Sequence, residues 1–181
     1  MANDYRGQTD LPRGIRNNNP GNIKAGDSWQ GSAGDDGTFV IFADMSWGTR
    51  ALATALANMQ NRGLNTIRSL ITAWAPSTEN DTLSYINAVC ADTGIAPDDV
   101  LSMDQQTLAS LMRAIINHEN GENNSLTYVT DQDIQDGLGK LNSGLLSLFP
   151  AAVVAAQQNP GTAAGLLIGA AFVVLLLMNR D

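Results

Sequence analysis

Leu108, Leu111, Met112, Ile115 and Ile116 recur at the spacing of one helix face, and the next member of that stripe is Glu119. Desolvation and the negative end of the helix dipole both disfavour a charged carboxylate at such a position. A carboxyl group kept protonated near neutral pH can donate its proton to a leaving oxygen, such as that of a glycosidic bond. Of 18 acidic residues only Glu79, Glu119 and Glu122 are glutamates. A structural use of Glu119, capping a neighbouring element or pairing with Arg113, competes with the chemical one. His118 is the only histidine and sits one step off the stripe, where a structural or cleft-rim role is expected. No zinc or calcium signature and no Ser or Cys nucleophile motif accompanies it, so no metal and no cofactor are expected.

The elements that must carry these residues are mostly helical. Leu52, Ala55, Leu56 and Met59 mark one helix, and Ile67, Leu70, Ile71 and Trp74 a second that Pro76 ends. Thr78 and Asp81 can cap a third, whose face carries Leu83, Ile86, Val89 and Cys90 and which Gly94 closes. The fourth runs from near Asp104 to Gly121, and a weaker one covers 131–141. Residues 1–45 read as irregular around the turn-rich Asn17-Asn18-Asn19-Pro20-Gly21-Asn22. A short strand pair is expected where Thr38 to Phe42 follows the turn Asp35-Asp36-Gly37.

Composition bounds the partners. The net charge is −8, and a chain this acidic is a poor nucleic-acid binder, because phosphate contacts need clustered Lys and Arg. The single cysteine, Cys90, excludes an intrachain disulfide. The start of the chain is polar and Gly-rich, unlike a signal peptide. Residues 161–178 carry no charge and no Pro, and at ~1.5 Å per residue reach about 27 Å, the scale of a bilayer core. The expected organisation is a domain over 1–142, an apolar connector over 143–160 and a transmembrane helix over 161–178. Gly161, Gly165 and Gly169 fall four apart, a face that suits helix self-association in a bilayer.

Arg13-Gly14-Ile15-Arg16-Asn17-Asn18-Asn19-Pro20-Gly21-Asn22-Ile23-Lys24 resembles a segment of phage virion-associated peptidoglycan-degrading enzymes. The resemblance continues through Trp29-Gln30-Gly31, Phe39 to Phe42, Gly48-Thr49-Arg50-Ala51, Trp74-Ala75-Pro76, Glu79-Asn80, Tyr85 and Ile115 to Gly121. The run from Asn22 to Gly31 is more distantly similar to flagellar-type glucosaminidases, where the catalytic glutamate precedes this region. Here the matching helix end, Asn117-His118-Glu119-Asn120-Gly121, follows it. The resemblance therefore implies a mainly α, α+β, lysozyme-like domain, circularly permuted, with Glu119 as its acid.

The same resemblance implies lytic transglycosylase action on peptidoglycan glycan strands, with Tyr85 orienting the substrate or the acid. Asp27 is the best second carboxylate, should a muramidase-type hydrolysis need one. Asn17, Asn18, Asn22 and Lys24, with the flat faces of Trp29 and Trp47, are the expected sugar contacts. Turn chemistry and core packing are their alternative uses. The implied setting is a virion protein, membrane-associated and in contact with other virion proteins, that opens the host envelope for genome entry. The competing class is a non-catalytic ejection component that binds cell wall or forms a pore.

Overall fold

The computed structural model describes residues 2–78, 81–102 and 104–141. The chain opens as an extended strap. Leu11 of this strap is buried, Asn3 donates to Asp133 at 2.8 Å, and Tyr5 stands edge-on to Tyr128. A single helical turn α1 (Arg13–Arg16) leads into the asparagine-rich turn. An antiparallel ribbon of β1 (Ser32–Asp35) and β2 (Val40–Phe42) follows, paired in the register Asp35 to Val40, with an irregularity between Ser32 and Gly34.

Six helices complete the described chain: α2 (Met45–Asn61), α3 (Ile67–Trp74), α4 (Thr82–Thr93), α5 (Gln105–Asn120), α6 (Glu122–Tyr128) and α7 (Asp131–Gly139). Most start on a side-chain cap, which satisfies amide donors that the first turn leaves free. Asp44 caps α2 through the amides of Ser46 and Trp47, Asp81 caps α4, and Asp104 caps α5. Thr66 and Thr130 form reciprocal capping boxes with Ser69 and Asp133. Gly94 ends α4 at φ 70°, a left-handed position that suits glycine.

The main core is built on α5, whose Leu108, Leu111, Met112, Ile115 and Ile116 are all buried among side chains of α2, α3, α4 and α7. A smaller cluster of Ile23, Val40, Phe42 and Ala51 lies between the ribbon and α2. The α2–α7 crossing is close: a Cβ on Gly137 would collide with Thr49 Oγ1 and lie 2.7 Å from the Arg50 amide nitrogen. Thr49 instead donates to the Asp133 carbonyl at 2.7 Å, tying the helices together.

The expected fold class is corrected by this arrangement. It joined a lysozyme-like, circularly permuted α+β domain to a transmembrane helix. The described residues instead form a mainly helical domain of seven helices and one ribbon, none of the helices long and apolar enough to cross a membrane. The longest, α2, has 17 residues and carries polar side chains, including Arg50 and Gln60, among its apolar ones. The connector 143–160, the segment 161–178 and its glycines Gly161, Gly165 and Gly169 lie outside the described residues.

Two local expectations also change. Leu83 is exposed, while Ile86 and Val89 are buried as expected and Tyr85 is buried with them. A polar stretch after Gly121, without an apolar stripe, forms α6.

Candidate active site

The asparagine turn sets the geometry of the site. Asn18 and Asn22 adopt φ of 50° and 49°, in the left-handed region that asparagine tolerates better than most residues. Asn19 is fully buried. It donates to the carbonyls of Ile23 and Val40 at 2.9 and 2.8 Å and accepts from the Ile23 amide. Asn18 donates to Asp4 and to the Phe42 carbonyl and accepts from the Tyr5 amide. Asn17 donates to Asp36 at 2.7 Å. These three amides clasp the strap and the ribbon to the turn.

Asn22 points the other way. Its Nδ2 donates to Glu119 Oε2 at 2.7 Å, a contact spanning 97 positions of sequence. Two further donors meet the other carboxylate oxygen: Tyr85 Oη at 2.8 Å and Trp74 Nε1 at 3.3 Å. Glu119 thus sits at the end of α5 with a donor each from the turn, α3 and α4. Next to it, Asn120 is buried and donates to the carbonyls of Pro20 and Ile116, fixing the end of α5 against the turn. The close approach requires Gly14, where a Cβ would collide with Asn120 Oδ1 and lie 3.0 Å from Asn22 Oδ1.

Tyr85 is 2% exposed. Burial first, then the Glu119 carboxylate beside it, drives its hydroxyl well above the usual phenol range. It is therefore a permanent donor to Glu119. His118 is exposed but lies flat on the Tyr85 ring, centroids 3.6 Å and planes 18° apart.

A cleft of about 480 Å³ opens over this carboxylate. Its walls are Asn22, Lys24, Asp27 and Trp29 on one side and Ala73 to Pro76 on the other, with Phe39 and Met59 contributing apolar surface. The sequence-predicted Glu119, Asp27, Asn22, Lys24 and Trp29 thus come together in one cleft, with Tyr85 touching Glu119 from the protein side. Lys24 is held in place by a backbone bridge to Phe39. The indole nitrogen of Trp29 is buried without a hydrogen-bond partner.

Asn17, Asn18 and Trp47 do not line the cleft. The two asparagines are consumed by the clasp. Trp47 packs against Gly31, with the cations of Arg50 and Lys140 near its ring. Conversely, Trp74 and Asn120 were given no role at the site by the sequence reading, whereas His118, expected in a structural or cleft-rim position, stacks on Tyr85. Trp74 stands at the end of its helix stripe just before Pro76, where a large aromatic is free to face a cleft, and that position was its sequence signal. Among the described residues no group of His, Cys, Asp and Glu could hold a metal ion.

Chemically, the arrangement is one partly buried carboxylate in an aromatic-walled cleft, with its two oxygens addressed by different donors. No family model matches the chain. It is 41% identical over 118 residues to Protein P5 of Pseudoalteromonas phage PM2, a match that covers 61% of this chain and 72% of that relative. A likeness of this extent places the chain, plainly, in the family of that phage protein.

Proposed function

We propose that this phage-family protein cleaves the glycan strands of peptidoglycan as a lytic transglycosylase, acting from the virion on the host cell envelope. The observation that supports this reading best is the carboxylate of Glu119, held at the cleft by Asn22, Trp74 and Tyr85. In this reaction one group serves twice. Protonated Glu119 gives its proton to the glycosidic oxygen as the bond to C1 of N-acetylmuramic acid breaks. The carboxylate then takes the proton of that sugar's own 6-hydroxyl as the oxygen bonds to C1, leaving a 1,6-anhydro ring. No water enters and no second carboxylate is needed.

The surroundings suit those two steps. Tyr85 keeps its proton, so it steadies Glu119 without competing for the proton in transit. Trp74 and Trp29 offer flat apolar faces, and Asn22 and Lys24 polar contacts, for N-acetylated sugars. Asp27 is exposed on the cleft wall, the position from which a water could be directed if hydrolysis replaced internal attack.

Purified full-length protein and its Glu119→Gln variant, incubated with peptidoglycan, test the proposal by mass spectrometry of the released fragments. Anhydro-muropeptides from the parent and none from the variant are expected. Reducing-end products would replace the transglycosylase by a hydrolase, with Asp27→Asn as the next variant. Release from neither protein would overturn the enzymatic reading, and equal release from both would overturn Glu119 as its acid.

A further inference from the structure

Arg50 is the one strongly buried cation of α2, 6% exposed. Its Nε donates to the Lys140 carbonyl at the end of α7, at 3.1 Å, and its guanidinium carbon lies 5.9 Å from the centre of the Trp47 ring. Among the described residues it meets no carboxylate. Burial lowers its affinity for the proton, and no acidic neighbour offsets that effect. A buried charge is ordinarily paired, because desolvation without a partner is costly.

The second cation makes the arrangement odder. Lys140 Nζ lies 5.3 Å from the same Trp47 ring, so two positive charges converge on one indole in a protein of net charge −8. The indole face and the carbonyl end of α7 give each a weak favourable contact. Neither supplies the full negative charge that two cations attract. The guanidinium fork, with Nε already engaged, retains its terminal nitrogens, the geometry that grips an oxyanion.

We propose that Arg50, Lys140 and Trp47 form a phosphate-binding site on the α2–α7 face, separate from the Glu119 cleft. Its ligand is a phosphate oxyanion, held by the Arg50 terminal nitrogens and the Lys140 ammonium, the two cations that the Trp47 ring holds near each other. Phospholipid headgroups and free phosphate share this chemistry, and the test distinguishes them.

Full-length protein is unfolded thermally in rising inorganic phosphate, against chloride at equal ionic strength, beside Lys140→Gln and Arg50→Met. A ligand that binds only the folded state raises its midpoint by mass action, so the parent is expected to gain several degrees and each variant less than half of that. Lys140 is only partly buried, so its substitution leaves the fold intact and keeps the test decisive if Arg50→Met fails to fold. An equal gain in parent and Lys140→Gln would be the general salting effect of phosphate and would overturn the site. Co-sedimentation with phosphatidylglycerol vesicles, against phosphatidylcholine, then assigns the source. Binding weakened at least threefold by Lys140→Gln marks a headgroup, whereas binding equal in both proteins, with the phosphate gain retained, marks free phosphate.

Discussion

The imidazole of His118 lies flat on the phenol of Tyr85, 3.6 Å between centroids, and that phenol donates to Glu119 at 2.8 Å. Consecutive residues of α5 thus grip one tyrosine of α4 from two sides, His118 its ring and Glu119 its hydroxyl. The carboxylate is positioned by a side chain that is itself positioned by the carboxylate's neighbour.

Tyr85→Phe tests the hydroxyl. The ring and its stack with His118 survive, and only the donor is lost. A hydrogen bond to a charged group is worth about 1.5–3 kcal/mol, so glycan-strand cleavage should fall roughly 10- to 100-fold. The variant also has a stability signature. Because burial and the Glu119 charge raise the folded-state value above the ordinary 10.0, the unfolded chain ionises Tyr85 first as pH rises. The associated stability is fully present below pH 10 and falls above it. Urea midpoints between pH 9 and 11 should decline less steeply for Tyr85→Phe than for the parent.

His118 acts through Tyr85 and is a positioning residue. His118→Ala removes the stack and should lower kcat several-fold with little change in KM, since His118 does not line the cleft. His118→Phe restores a flat ring and should recover most of the loss. A fall in KM affinity alone, or no rescue by Phe, would assign His118 to substrate contact instead.

How far the sequence carries these relationships depends on what each one rests on. The stripes of α2, α3 and α5 were legible because each buries one face, and Glu119 stood out as the polar member of the longest stripe. Asp81, Asp104 and Gly94 announced helix ends through local hydrogen bonding and backbone conformation alone. The face of α4 was legible at Ile86 and Val89 but not at Tyr85, an amphipathic residue that meets two partners, Glu119 and His118, more than 30 positions away. Leu83 is exposed for the converse reason, since among the described residues no neighbouring element covers it. Asn17 and Asn18 read equally well as sugar contacts or turn formers. Only the placement of Asp36, Phe42 and the strap decides that they are clasps.

Asn22 can be isolated from its backbone role. At φ 49° most substitutions would strain the turn, but glycine is at ease there. Asn22→Gly therefore removes the amide that donates to Glu119 Oε2 while keeping the chain path. Cleavage should fall at least tenfold, with the thermal midpoint changed by a few degrees at most. A loss of activity that merely tracks unfolding in a circular-dichroism melt would refute the positioning role.

Asp36 offers a prediction at acid pH, away from the cleft. Its carboxylate binds the Arg13 guanidinium through two contacts of 2.6 and 2.8 Å, accepts from Asn17, and takes the amides of Thr38 and Phe39. The Arg13 guanidinium also lies over the Phe39 ring at 4.7 Å, so Asp36 closes the ribbon turn onto α1. The Arg13 contact, ahead of the backbone amides, holds the carboxyl well below the ordinary carboxylate value of 3.8. With the folded-state value depressed, the unfolded chain takes up the proton first as pH falls. This contribution is therefore complete above about pH 5 and fades as pH drops through 4 and below. The pair is solvent-accessible, so screening keeps its contribution small. Asp36→Asn keeps an oxygen for the two amides but loses the charge. Its urea midpoint should lie below the parent's at pH 7, and the two should converge near pH 2. A gap that persists at pH 2 would mean that geometry, and not charge, holds the ribbon to α1.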